Sequence, residues 1–339
     1  MRRVGGLWPQ VTAFDNLLSA TRRAAQGKRH QRHVARFLIE REPMLLGLRR
    51  SLLDGSYTPG RLSTFVIHDP KLRTIGVAPF RDRVVHHAVI DVLEPVLDRR
   101  MIDATFACRR GKGTHAALDR AQTLVRRHAW FLKMDVAQYF ASVPHAVVME
   151  AVTRIIKDRR VLALFERIVI GGGRADTPGR GLPIGNLTSQ WFANLVLGRL
   201  DHHVLQRMHL AGYLRYLDDF VMFAETRQQL QEAQAEVTEV LASLGLRPKT
   251  RATMLGRSGE GLPFLGFVLY PAVRRVRPDN RKRIVQRWKR RLWEYRQGVL
   301  EEEALADAVR SMMVHLEHGT TRGWRRRWCT VLEGRGPPG

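Results

Sequence analysis

The sequence predicts an α+β protein in which short antiparallel hairpins are set among amphipathic helices. Three observations carry this. Runs rich in Val, Ile, Phe and Tyr flank turn residues at 63–78 and 212–224, the signature of hairpins. Around them, apolar residues recur at helical spacing. The apolar content, 44% of 339 residues, suffices for a sizeable core in one elongated domain or two to three packed units.

Charge narrows the function. Lys and Arg number 57 against 32 Asp and Glu, an excess of +25. A polyanion is the expected partner, nucleic acid ahead of a membrane surface. No apolar run reaches the length of a transmembrane helix, and Met1 to Pro9 lacks the apolar core of a signal peptide. Cys108 and Cys329 are too few for a disulfide framework or a cysteine zinc site. His30/His33 and His315/His318 are spaced i, i+3 but have no further ligand candidates close in sequence. They read as surface or phosphate-contacting histidines, so nothing demands zinc.

The elements follow in order. Thr12 with Asp15 three residues on opens a helix over 12–26, with Phe14, Leu17, Leu18 and Thr21 on one face and Gly27 at its end. A basic stretch, 28–36, precedes a second helical pattern over 37–53, interrupted at Pro43. Residues 55–60 form a loop. Phe65–His68 and Leu72–Val77 make a hairpin about Asp69-Pro70, with Lys71 and Arg73 beside its turn. A helix then covers 81–96. Its opening Arg81-Asp82-Arg83 reads either as surface charge or as forked cations for phosphate. The basic, glycine-broken loop 105–114, with Arg109, Arg110 and Lys112, lacks P-loop spacing. It looks like the flexible basic loops that embrace a nucleic-acid backbone.

Residues 130–136 read as a strand with Leu132, Met134 and Val136 on one face and Lys133 and Asp135 on the other. Tyr139 and Phe140 follow in a turn, then a helix through about 170. The glycine segments 171–173 and 181–186 feed a buried helix, 187–197, with Asn186 as N-cap. Such a loop lets backbone approach a flat ligand or an anion closely. In the hairpin 212–224 a tight turn presents Asp218 and Asp219. Adjacent carboxylates repel unless a cation lies between them and their partners, yet by itself the pair reads first as a solvated hairpin turn. Thr226 and Gln229 form a capping box for a helix that Gly245 ends. The segment 247–250, with Lys249, leads to a strand over 263–270. Residues 274–297 read as a basic helix bearing Arg287, Lys289, Arg290 and Arg291 among Trp288, Trp293 and Tyr295. A second basic aromatic cluster spans 324–328. Both suit phosphate contact with base stacking, or helix-core aromatics with solvated arginines. Residues 334–339 read as a disordered tail.

Taken together, this order of elements resembles the reverse transcriptase family over roughly residues 12–297. Asp135 matches the family's first palm carboxylate, Tyr216-Leu217-Asp218-Asp219 its Tyr-x-Asp-Asp signature, and Phe264-Leu265-Gly266 the strand that closes the palm. The resemblance implies a right-hand polymerase with fingers, antiparallel-sheet palm and helical thumb. On it, 1–62 is an N-terminal helical extension, 63–130 fingers, 131–270 palm with finger elements interleaved, and 271–333 thumb. It further implies RNA-directed DNA synthesis from dNTPs with two Mg²⁺ ions, or Mn²⁺, about 4 Å apart. Carboxylates are apt hard ligands. Asp135 and Asp218 are the principal candidates. Asp219 is secondary, because adjacent strand residues point to opposite faces. Lys71 and Arg73 would contact the triphosphate, Phe140 would act as steric gate against a ribose 2′-OH, and Lys249 would be the acid near the leaving phosphate. Ile184, Gly185 and Gln190 would line the nucleotide site. Arg81, Arg83, Arg109, Arg110, Lys112 and the four thumb cations would hold template RNA and the RNA/cDNA duplex.

The segment Ile184 to Gln190 marks a subtype. Most group II intron and retroviral relatives have Gln-Gly here and end in Ser-Pro, whereas this chain has Ile184-Gly185 and Ser189-Gln190. That is similar to the reverse transcriptases of diversity-generating retroelements, as are the opening Thr12 to Leu17 and the lack of an added maturase or endonuclease domain. This implies copying of a template-repeat RNA into cDNA with errors at adenines, in a prokaryotic or phage-encoded cytoplasmic protein helped by a small helical accessory protein. Open beside it stand a group II intron-like or defence-associated reverse transcriptase and a catalytically silent RNA-binding scaffold.

Overall fold

The computed structural model describes residues 2–68, 72–173, 176–210 and 212–326. Helices α1 (Trp8–Val11), α2 (Phe14–Ala24), α3 (Arg32–Ile39) and α4 (Arg41–Leu53) form the N-terminal layer. Two expectations change here. The Thr12 hydroxyl donates to the Trp8 carbonyl at 3.0 Å, so Thr12 closes α1, while Ala13 takes the N-cap position of α2 without a side-chain bond. The pattern over 37–53 breaks at Glu40 and not at Pro43. Pro43 sits in the first turn of α4, where its missing N–H has no intrahelical partner to lose.

The hairpin of β1 (Ser63–His68) and β2 (Leu72–Val77) forms as the sequence predicts, and most of its residues are exposed. Lys71 and the turn 69–71 lie outside the described residues. Next come α5 (Phe80–Asp98), α6 (Thr114–Arg127), β3 (Trp130–Asp135), α7 (Tyr139–Ser142), α8 (His145–Thr153) and α9 (Arg159–Gly171). The single helix expected up to about 170 is thus two. Asp158 restarts it, its carboxylate accepting the N–H groups of Arg160 and Val161 at 3.2 and 3.4 Å, the N-cap role. The same carboxylate accepts the N–H groups of Leu7 and Trp8 at 2.9 and 3.1 Å.

Helix α10 (Leu187–Gln206) outruns the expected 187–197. Asn186 holds its N-cap position, but the side chain makes no capping bond. Strands β4 (Gly212–Tyr216) and β5 (Asp219–Ala224) follow, then α11 (Arg227–Ser243), opened by the Thr226/Gln229 capping box. Strand β6 (Met254–Arg257) has no counterpart in the sequence reading. The strand expected over 263–270 is a hairpin of β7 (Leu262–Phe264) and β8 (Phe267–Leu269). Leu265 and Gly266 turn it, at φ +44° and +87°. Both are left-handed, as two-residue hairpin turns of this kind require. Residues 274–276 extend this sheet as β9 (Arg274–Val276), so the basic helix α12 (Pro278–Arg296) starts only at Pro278; α13 (Glu302–Glu317) follows. Of the second aromatic cluster, Trp324 is described and lies beneath the Arg281 guanidinium at 5.0 Å; Trp328 and the tail 334–339 lie outside the described residues.

The central sheet runs β4-β5-β3-β6, all antiparallel. Side-chain alternation divides its residues between two cores. Leu132, Met134, Phe220 and Met222 pack toward α8, α10 and α11. Phe131, Val221 and Phe223 pack toward α6 and the β7–β8 hairpin. Each fully buried side chain of this size stabilises the fold by roughly 1.5–3 kcal/mol, so a two-sided sheet of four-to-six-residue strands is held firmly. Its carboxylate-bearing end therefore stands on a rigid base. No helix among the described residues is long and apolar enough to cross a membrane.

Candidate active site

Register brings the acids together. Asp135 ends β3 and Asp219 begins β5, directly opposite each other, so both leave the same face as Lys133. Strand alternation does not separate Asp219 from Asp218, because Asp218 lies in the turn and not in the strand. What distinguishes Asp219 is its partner: Oδ2 is 3.2 Å from Lys133 Nζ, while the buried Oδ1 has no hydrogen-bond partner. Burial, and after it the charge of Asp135, pushes the Asp218 carboxyl up, with Arg73 among the groups pulling it down. Burial pushes Asp219 up to about 6 against the pull of Lys133. Lys249 Nζ lies 3.3 Å from Asp135 Oδ2, and its backbone N–H donates to the Asp135 carbonyl at 2.7 Å. Asp218 and Asp219 are thus desolvated beside Asp135, with Lys133 on Asp219 and Lys249 on Asp135.

The turn that offers Asp218 is clamped from below. Leu217 adopts φ +54°, unusual for a residue with a branched side chain. Its carbonyl accepts from Arg215 at 2.9 Å. The Arg215 guanidinium is wholly buried and reaches Asp201 at 2.7 and 2.6 Å and Asn194 Oδ1 at 3.0 Å. Asp201 also accepts from the Tyr213 hydroxyl at 2.7 Å and from Thr105 at 3.2 Å. Sequence reasoning missed Lys133, Arg215, Asp201 and Asn194. For Lys133 the signal was its place on the Asp135 face; for Arg215 it was a charge inside an otherwise apolar strand.

Several of the residues read as nucleotide-binding are joined by backbone hydrogen bonds. The Leu182 N–H donates to the Phe140 carbonyl at 2.6 Å, and the Gly76 N–H of β2 donates to the Ile184 carbonyl at 3.0 Å. Phe140, the loop 181–185 and the hairpin bearing Arg73 are therefore one connected wall. Gly185 has φ +110°, and a Cβ there would stand 3.0 Å from Ile75, so this loop and β2 meet backbone to backbone. Phe140 is half-buried, its ring edge-on to Tyr139 at 5.7 Å. Tyr139 is core, its hydroxyl donating to the Ala193 carbonyl. Gln190 is half-buried in the first turn of α10.

The cations read as nucleic-acid contacts fare unevenly. Arg109 is spent internally, 2.6 Å from Asp98 and donating to the Ile102 and Thr105 carbonyls. Lys112 pairs with Asp103 at 2.5 Å and lies over the Phe106 ring, and Arg110 pairs with Glu94 at 2.9 Å. The loop 105–114 is therefore tied down and not the flexible arm the sequence implied. Arg81 donates to the Thr58 carbonyl at 2.7 Å and contacts buried Asp82, and half-buried Arg83 lies over the Phe80 ring. On α12, Arg290 and Arg291 share Glu294 at 3.4 and 3.0 Å, while Arg287 and Lys289 are exposed.

Comparison with known proteins gives a consistent picture. A family model described as "Reverse transcriptase (RNA-dependent DNA polymerase)" matches residues 67–269. Protein YkfC of Escherichia coli is 27% identical over 66% of this chain and 70% of its own. The group II intron-encoded protein LtrA of Lactococcus lactis is 26% identical over 46% of this chain, which spans only 27% of LtrA. The Arabidopsis thaliana nuclear intron maturase 2 is 26% identical over 41% of this chain and 21% of its own. Among solved structures, apo telomerase from Candida tropicalis superposes with a TM-score of 0.52 at 11% identity, over 68% of this chain and 59% of that one. That likeness, with the mixed helix and sheet architecture, shows a right-hand polymerase fold.

Proposed function

Since the chain belongs to the reverse transcriptase (RNA-dependent DNA polymerase) family, we propose that it synthesises DNA on an RNA template, with Asp135 and Asp218 as its central acids. One observation carries this reading: Asp135 at the end of β3 stands opposite Asp219 of β5, and its charge acts on the desolvated Asp218 of the β4–β5 turn, all at the end of a rigid sheet. The proposed division is fingers over 63–130, palm over 131–270 and thumb over 271–333, behind an N-terminal helical extension.

The donor set fits divalent ions. Its ligands are hard carboxylate oxygens, and the buried Asp219 Oδ1 has no hydrogen-bond partner among the described residues. Among the described residues no three His, Cys, Asp or Glu side chains converge on one point as they stand, so substrate phosphates would complete the coordination. Asp135 and Asp218 would hold Mg²⁺ or Mn²⁺, with Asp219 in support, and the ions would supply Lewis acidity for attack and charge neutralisation of the leaving pyrophosphate. The remaining work falls to the chain. Lys249 delivers a proton to the leaving phosphate. Arg73 and Lys71 bind the triphosphate electrostatically. Phe140 fills the space a ribose 2′-OH would need. Thumb cations Arg287 and Lys289 grip the duplex backbone.

Asp218→Ala is expected to abolish RNA-templated dNTP incorporation while RNA binding persists. Wild-type protein that incorporates nothing, given Mg²⁺ and its proper RNA, would overturn the assignment; a silent RNA-binding scaffold is then what remains. For the subtype, the departures at Ile184 and at Ser189-Gln190 support diversity generation, with adenine-directed errors on a template-repeat RNA and a small helical accessory protein. The intron proteins among the relatives favour a second reading, a group II intron-like enzyme. Ile184 would remove a polar contact at the nascent base pair. Restoring one with Ile184→Gln is expected to lower misincorporation opposite adenine at least several-fold, measured by sequencing cDNA. An unchanged adenine error rate would sever that link.

A further inference from the structure

A cavity of about 420 Å³ lies on the α5, α8 and α10 side of the molecule, lined by residues just after α5, by α8 and the residues after it, and by α10 from Asn194 to its C-cap Arg207. Arg100, Arg154, Arg199, Arg207, His202 and His203 line it, and no acid does. Its floor is apolar, with Met101, Ile155 and Leu195. The cations are under-compensated. Glu150, outside the lining, serves both Arg154 and Arg199 at 2.6 and 3.4 Å. Arg100 donates to the Arg2 carbonyl at 2.9 Å, a neutral partner that leaves its charge intact. Exposed Arg207 has no ion-pair partner among the described residues. His203 leans on Glu236 at 2.5 Å.

We propose that this cavity, which no residue of the carboxylate turn lines, is a second RNA site that takes a short single-stranded segment with its phosphates on the arginines and a base on the apolar floor. Spacing argues for a chain of phosphates over one anion. Residues 199, 202, 203 and 206, with the C-cap residue 207, follow i, i+3, i+4 spacing along one face of α10. At 1.5 Å per residue the row from Arg199 to Arg207 is about 12 Å long. Arginine forks grip phosphate oxygens bidentately, and unpaired bases stack on flat rings and apolar surface. The site is not insulated from the turn. Asn194 lines the cavity and also accepts the Arg215 guanidinium that holds Leu217. The assignment rests on reading the chain as one that works on RNA.

Gly198 provides the test, because it lines the cavity and a Cβ added there meets nothing within 4 Å. Gly198→Glu places an acid in the cavity without a clash, and Gly198→Ala is its control; both residues favour helix over glycine. Each protein, saturated with an RNA/DNA primer–template, is titrated with a 4-thiouridine-labelled single-stranded RNA dodecamer, and crosslinks are mapped. The expected result is a tenfold or greater loss of affinity in Gly198→Glu, none in Gly198→Ala, and wild-type crosslinks within 195–207. Arg207→Glu is expected to lose affinity likewise. Equal affinity in all variants, or crosslinks only elsewhere, overturns the proposal. So does displacement of the RNA by dNTP alone, which marks a free-nucleotide site, or by poly-glutamate at equal charge, which marks an acidic protein partner. Incorporation on the primer–template is read in parallel and is expected to be equal in wild type and Gly198→Glu. Crosslinking here without incorporation by wild type would refute the polymerase reading and leave this one standing.

Discussion

The carboxylate turn depends on a charge that never meets solvent. Arg215 and Asp201 are both 0% exposed, so removing one partner strands the other in the core, at a cost of about 3–5 kcal/mol. Arg215→Ala is expected to lower the urea-unfolding free energy by that amount. Replacing the ion pair and the Tyr213 hydroxyl with apolar groups, as Arg215→Met with Asp201→Leu and Tyr213→Phe, is expected to restore most of the stability, since a buried pair gains little over packed hydrocarbon. It should not restore DNA synthesis, because the Leu217 carbonyl still lacks its donor. A stable triple variant with wild-type incorporation would show that Arg215 holds the fold and not the turn. The acids themselves were legible in sequence, because Asp-Asp between two apolar runs and an acid closing a strand are local patterns. Their partners were not. Lys133 meets Asp219, and Arg215 meets Asp201, only once register and helix packing are known.

Among the elements, legibility followed local periodicity. The hairpin 63–77 and strands β3, β4 and β5 were visible because their β-rich runs end at clear turn residues. Strand β6 was not, since Met254-Leu255-Gly256-Arg257 has neither alternation nor β-branched residues, and pairing with β3 alone makes it a strand. The continuous apolar run 262–269 hid its own reversal, because Leu265 is a poor sign of positive φ. The neighbouring glycine is where that reversal is vulnerable. Gly266 has φ +87°, and an added Cβ would stand 2.6 Å from Asn280 Nδ2, which donates to the Gly266 carbonyl. Gly266→Ala is expected to cost about 1–2 kcal/mol, read as a lower urea midpoint. An unchanged midpoint would mean that the β7–β8 turn relaxes freely.

At the scale of the molecule, the N-terminal layer meets the rest through α5, and α5 buries a histidine. His86 is 4% exposed, its Nδ1 has no partner, and burial pushes it down from 6.5 to about 4 against the pull of Asp82. A histidine kept neutral in the fold stabilises fully above its unfolded value near 6.5. That contribution fades as pH falls toward 4, by about 3 kcal/mol in all. Asp218 and Asp219, both pushed up, act in the opposite sense, so the comparison must be made against a variant. The urea midpoint is expected to drop between pH 7 and 4.5, and His86→Phe should flatten that drop. Equal slopes for both proteins would mean that His86 takes up its proton without opening the fold. The Asp158 clip has a further consequence, in the order of synthesis. Val4 bridges to Ile156, and Leu7 and Trp8 bond to Asp158 across sequence separations of 151 and 150 residues. At translation rates of about 5–20 residues per second, residues 4–8 wait roughly 8–30 s on the ribosome before their partners exist. Early residues thus dock late, and a stall between codons 10 and 150 would leave Trp8 exposed for as long as it lasts.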